Sequence, residues 1–333
     1  MSTRDIVIRG HIALATTAVI SLLFIASYAG ALHAPRPHDV PIVATRAAPA
    51  SLTGRLDASS ALKVARVASP AAARRRIDER RAYAAILATG PGALELVVAP
   101  AASAQVAQLM STRVAPQLRA AGVRVTERVV HPLKSGDARG LVGFYTVIGW
   151  ALAGYFGASL FTLAFGAPRT RRGIFRRLVG MAELAIVVGL AGAGIAYAIS
   201  GYDHGFALFA LVGVLAVAAI GMATVALQSV LGAGGTGLAI VLFVILGNPA
   251  AGGAAPIELL PGLWRAIGRF LPPGAGNSGV GRAAYFPDAS LARPLVVLLA
   301  WLLVATVAAF LLAGRGHAMT TEEAEASIGA AAA

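Results

Sequence analysis

The chain has no cysteine among its 333 residues, only two lysines, and no charge at all over several long stretches. The missing cysteines exclude disulfides, thiolate metal sites and cysteine nucleophiles. Neither Lys63 nor Lys134 follows a glycine, so the Gly-Lys-Ser/Thr phosphate loop is excluded, and with it ATP hydrolysis by that route. The six histidines are dispersed without a His-Glu-x-x-His pair, and no Gly-x-Ser-x-Gly occurs. His33 and His38, five apart in a proline-rich stretch, read as loop residues rather than a metal pair. No catalytic, cofactor-binding or metal-ligating residue is expected, and the chain does not read as an enzyme.

What is present is apolar. Hydrophobic residues make up 57% of the chain, charged residues 13%, and the mean hydropathy is +0.75, well outside the soluble balance. No Asp, Glu, Lys or Arg lies between Gly10 and Leu32, or between Asp203 and Glu258. A helix of about 20 apolar residues crosses a hydrocarbon core of roughly 30 Å. Six crossings are predicted: 11–32, 141–165, 178–199, 206–231, a fifth beginning near Thr236, and 294–313. The first exceeds the ~7–15 apolar residues of a signal peptide, which favours a retained anchor over cleavage at Ala31-Leu32-His33-Ala34. The short connection 168–177 carries Arg169, Arg171, Arg172, Arg176 and Arg177, and Arg4 and Arg9 lie in the N-terminus. Basic short loops stay inside, so residues 1–10, that connection and the tail 314–333 are expected to be cytoplasmic.

Residues 33–140 then lie outside. They hold 16 basic against 7 acidic residues, nine of the chain's thirteen net positive charges, but a segment this long escapes the short-loop rule, which counts loops under about 60 residues. Pro35, Pro37 and Pro41 stiffen its start. Strands are predicted over 83–88 and 94–99 around the turn Thr89-Gly90-Pro91-Gly92, then a helix capped by Ser103 and ending before Gly122, then a strand over 123–130. The arginines at 74–76, 80 and 81 read first as a solvated helix face and second as a surface for anionic lipid headgroups or an envelope polyanion. The fold class expected is an all-α polytopic membrane protein of about six spanning helices, with a small α/β extracytoplasmic domain between helices 1 and 2 and a five-helix membrane domain over 141–313.

Within the spans, Glu183 is the one convincing charge. Its shallow position suits a structural role or an interhelical hydrogen bond to Gln228 rather than proton transfer. The two Gly-x-Gly-x-x-Gly matches, 232–237 and 274–279, follow no strand of a βαβ unit, and the first, in a charge-free stretch, reads as a tight turn between spans. The fifth span is anomalous: from Thr236 to Gly247 it is about 18 Å long, and Asn248-Pro249 and a glycine-alanine run then interrupt it. A broken helix at that depth must be satisfied by protein or water, so 248–293 is predicted to hold a re-entrant segment with Ala283 accessible from outside and Trp264 and Tyr285 in an interfacial belt.

Gly247-Asn248-Pro249 with Gly252-Gly253, then Glu258-Leu-Leu-Pro261, Trp264-Arg265, Gly268 and Leu271-Pro272-Pro273-Gly274-Ala275, resemble membrane proteins related to ABC-2-type permeases, in particular the phage-infection-protein (YhgE/Pip-like) branch of Gram-positive bacteria. Ala31-Leu32-His33, Pro35, Pro37-His38-Asp39, Pro41 and Asp137-Ala138-Arg139-Gly140 are similar to the same branch. The resemblance implies a plasma-membrane module that dimerises among lipids, exports a lipid-like or amphipathic compound and docks on a separate ATPase through 168–177, with the outer gate in 248–286. A non-transporting envelope protein whose outer domain binds a partner is the other class implied. No nucleic-acid partner is expected.

Overall fold

The computed structural model describes residues 3–232 and 234–313. Helix α1 (Thr3–Leu32) leads into an α/β domain: β1 (Val40–Thr45), α2 (Ala50–Asp57), β2 (Leu62–Val67), α3 (Pro70–Asp78), β3 (Ala84–Gly90), β4 (Ala93–Val98), α4 (Ala104–Leu109), α5 (Ala115–Ala120) and β5 (Arg124–Val129). A π turn over Met110–Val114 joins α4 to α5, so the one helix predicted there is continuous but locally unwound. The sheet order is β2-β1-β3-β4-β5; β3 and β4 are antiparallel and the other neighbours parallel. Ser103 caps α4, accepting from the Val106 N–H at 3.2 Å.

Strand periodicity divides the sheet into two apolar faces. Val40, Ile42, Ala84, Ile86, Leu94 and Leu96 pack on one face with α2, Val106, Met110 and Leu118. Val43, Ala85, Leu87 and Val97 pack on the other with Ala73 and Ile77 of α3, and that core runs without a break into the helical part through Tyr285 and Phe286. Strands β1 and β2 were not anticipated. Pro41 argues against a central strand, yet it sits at the second position of β1, before the ladder with β3 begins at Ile42.

Helices α6 (Val142–Phe165), α7 (Arg171–Ser200), α8 (Phe206–Leu231) and α12 (Ala292–Leu312) make the bundle, with α8 at its centre. Together with Gly10–Leu32 these are five helices, among the described residues, long and apolar enough to cross a membrane. Between α8 and α12 come α9 (Gly234–Ala239), π turns over Ile240–Gly247, short 3-10 turns at Pro249–Ala251 and Ile257–Leu259, α10 (Gly262–Gly268) and α11 (Pro272–Tyr285). The tail 314–333 lies outside the described residues.

The segment after α8 explains itself physically. Helix α9 and its π turns are too short for a full crossing by themselves, and Asn248-Pro249 ends them where proline removes a donor. The chain then dips and returns. The Phe270 carbonyl accepts from Trp301 Nε1 at 2.8 Å, ten residues into α12 and so roughly 14 Å from its start. Helix α11 leads back to the sheet domain, where Tyr285 and Phe286 are buried. The hairpin closes on glycine: a Cβ on Gly268 would stand 2.0 Å from the Ala250 carbonyl oxygen, and one on Gly274 1.9 Å from that of Gly268.

Helix α1 stands apart from the bundle and packs on the broken segment. Ser27, buried, donates to the Ile245 carbonyl and accepts from Trp264 Nε1 at 3.2 Å. Trp264 therefore pins α1 to α10.

Candidate functional site

The sheet domain meets the helices in a polar junction. Its centre is Asp137, 4% exposed, whose carboxylate accepts from Tyr202 Oη at 2.7 Å, Tyr285 Oη at 2.9 Å and the backbone N–H groups of Leu141 and Val142 at 2.8 and 3.0 Å. It thus caps α6 and ties α6, α11 and the α7–α8 link together. Burial first, then the neighbouring Asp137, pushes both tyrosine hydroxyls far up, which keeps them donors. Gly136 allows the approach, since a Cβ there would lie 2.1 Å from the Ile199 carbonyl oxygen. Tyr285, expected at a membrane interface, is instead consumed by this cluster.

Around it the α3–β3 link reaches down. Tyr83 donates to Glu258 Oε2 at 2.8 Å, and burial, ahead of the charge of Glu258, pushes the Tyr83 hydroxyl well up. Arg80 donates to the Ser278 carbonyl and Arg282 to that of Glu79, both at 3.2 Å. His131 lies between Asp78 Oδ1 at 2.8 Å and the Tyr285 carbonyl at 3.0 Å, against the Phe286 ring. Arg36 and His38 pair through their backbone N–H groups with the carbonyls of Leu259 and Glu258. Two clefts of about 390 and 160 Å3 open here, and Arg80, Ala102, Gly252, Pro256 and Asn277 border both.

The broken-segment residues singled out in the sequence meet at this junction or under it. Asn248 and Pro249 are buried at the break, Gly252 takes a left-handed φ of 76°, and Gly253 lies flat on Phe144. Glu258 receives Tyr83, Pro261 starts α10, Arg265 is half-buried on it, and Pro272, Pro273 and Gly274 open α11. Ala283, expected to be open, is 3% exposed because α11 turns that face into the core.

The other candidates lie elsewhere. The α6–α7 turn is at the far end of α6, about 35 Å from the junction by helix length. Arg169, Arg171, Arg172 and Arg176 are exposed there, but Arg177 is buried and donates to the Gly166 and Phe161 carbonyls at the end of α6. It satisfies a helix C-terminus and is not free to meet a partner. Arg177→Gln is expected to cost about 1.5–3 kcal/mol, read as a lower unfolding temperature in detergent, while Gln at the four exposed positions leaves stability unchanged.

The Glu183–Gln228 bond is not formed. Glu183 is exposed on α7, whereas Gln228, fully buried on α8, accepts from Thr162 Oγ1 at 2.7 Å and donates to Thr236 Oγ1 at 2.9 Å. Gln228 thus joins α6, α8 and α9. Gln228→Leu is expected to lower stability by about 1 kcal/mol, two interhelical bonds at ~0.6 each. Equal unfolding temperatures would show that the amide adds nothing.

Arg80, Arg282, Tyr83, His131 and Tyr202 were not read as site residues. The available signal was Arg282, the one charged residue of α11. Comparisons with family models, curated proteins and solved structures found no match to this chain.

Proposed function

We propose that the chain is the membrane subunit of an exporter of the ABC-2 type, close to the phage-infection-protein branch, which moves a lipid-like or amphipathic compound with energy from a separate ATPase. The observation that carries the reading is the broken segment: a short apolar helix, a break at Asn248-Pro249 and a returning α10–α11 hairpin, held between α1, α8 and the sheet domain. Such an element joins the helices to the outer domain, so a shift of the spans moves the gate and the domain together. In this reading the sheet domain is extracytoplasmic, both termini and the α6–α7 turn are cytoplasmic, the host membrane is a bacterial plasma membrane, and two copies form the pathway. The chain itself performs no catalysis.

A second reading, a partner-binding envelope protein, draws on an apolar groove of about 580 Å3 between α2 and α4–α5, lined by Leu52, Leu56, Leu109 and Leu118 with Arg55 and Arg113 beside them.

The chain offers a clean test because it lacks native cysteine. Single cysteines at Ala254 and Asp288, both exposed near the junction, are expected to react with an impermeant thiol reagent on intact cells, and one at Arg172 is not. Isolated from its native membrane, the chain is expected to carry a nucleotide-binding protein whose ATP hydrolysis it alters, and Gln at 169, 171, 172 and 176 is expected to release it. Labelling of Arg172→Cys from outside would invert the topology. Hydrolysis indifferent to the four arginines would remove the coupling role.

A further inference from the structure

Helix α3 ends in a turn that normally needs glycine. The Arg81 N–H bonds back to the Arg76 carbonyl and the Arg80 N–H to that of Ile77, which leaves Arg80 in the left-handed position at φ 54°. A side chain there strains the backbone, and such strain persists where the side chain is needed. The turn aims Arg80 away from the exposed Arg74, Arg75 and Arg76 and into the cleft shared with α11, whose rim the exposed Arg81 also borders. Its guanidinium lies over the Phe286 ring and flat on Gly281, where a Cβ would be 2.7 Å from Nη1.

Arg282 meets it from the other wall. Both converge on Ser278, Arg80 on the carbonyl and Arg282 on the hydroxyl at 3.4 Å. Among the described residues neither forms an ion pair within 4 Å: Glu79 pairs with Arg81, Asp78 with His131, and Glu258 is held by Tyr83. Burial first, then the charge of Arg80, draws Arg282 down to about 10. Two forked donors facing one cleft, each with N–H groups left over, match an oxyanion with several acceptor oxygens.

We propose that the cleft between the α3–β3 link and α11 binds a phosphate-type oxyanion through Arg80 and Arg282. The inference stands whether or not the chain belongs to an exporter. The cleft of about 160 Å3 holds several waters' worth of space at ~30 Å3 each, enough for such a group and its bridging waters. Glu258 on the same wall limits the site to small, strongly bound anions, because a bulky polyanion would crowd its carboxylate.

The test uses the full chain in phosphatidylcholine nanodiscs. Inorganic phosphate is titrated by calorimetry in one arm. In the other, phosphatidylglycerol is added to the nanodiscs and its retention is followed by native mass spectrometry. Saturable binding of phosphate assigns a free oxyanion, and retention of phosphatidylglycerol alone assigns a lipid headgroup. Arg80→Gly removes the guanidinium while suiting the left-handed turn, so it is expected to keep the unfolding temperature and lose affinity at least about 30-fold, as is Arg282→Gln. Arg74→Gln, on the exposed face of α3, is expected to bind as the parent does. Binding of neither probe overturns the proposal. So does Arg80→Gly with parental affinity and a lowered unfolding temperature, which would make Arg80 a strut. Should Arg80→Gly not fold, Arg282→Gln decides alone: parental affinity overturns the site.

Discussion

Asp137→Ala is expected to lower the unfolding temperature more than any other side-chain truncation in the junction. Four donors converge on one buried carboxylate: two tyrosine hydroxyls and the N–H groups of Leu141 and Val142 at the start of α6. Alanine leaves all four without that acceptor, and only water from the adjoining cleft, which Asp137, Tyr202 and Tyr285 line, can take its place. Removing one partner from a buried charged network costs about 3–5 kcal/mol, several times the ~1 kcal/mol of an ordinary lost cap. Asp137→Asn keeps one acceptor oxygen and is expected to fall between. Tryptophan fluorescence of the detergent-solubilised chain during heating measures the series. An alanine variant as stable as the parent would mean that the junction is held by the apolar core running through Phe286 and not by the carboxylate.

Gly274→Ala and Gly268→Ala are expected to prevent the α10–α11 hairpin from closing. In both cases the added methyl meets a backbone carbonyl oxygen, at 1.9 and 2.0 Å, which no rotamer change can relieve. Overpacking of this kind costs about 1–3 kcal/mol where side chains yield and more where they cannot. Gly237→Ala is the control, because nothing lies within 4 Å of its Cβ and alanine favours the helix by up to about 1 kcal/mol. Protease sensitivity between residues 250 and 275, compared across the three variants, separates hairpin failure from a general loss of stability. Parental resistance in Gly274→Ala would show that α10 and α11 slide apart without cost.

Much of the architecture was legible one residue at a time. Charge-free runs of membrane length became α1, α6, α7, α8 and α12, because a helix is the one open-chain solution for twenty apolar residues and its ends are marked by local residues such as the Thr170 cap of α7. The break at Asn248-Pro249 was legible for the same reason: proline acts on its own turn. Strand β1 was not, since its claim to the middle of the sheet rests on β2 and β3 rather than on Val40–Thr45.

The junction lay beyond the sequence. Arg80 belongs by composition to the solvated arginines of α3, and only the turn at φ 54° sends it inward. Gln228 has the polarity to pair with Glu183, yet rotation about α8 turned it toward Thr162 and Thr236. Arg177 matches the arginines beside it and differs in facing the end of α6. By itself the sequence determined where the helices run and where one of them breaks, because hydropathy and proline act over a single turn or span. Only the tertiary structure decided which polar side chains meet, because Asp137, Tyr202 and Tyr285, or Arg80 and Arg282, are far apart along the chain and become neighbours only when the sheet domain closes on α11.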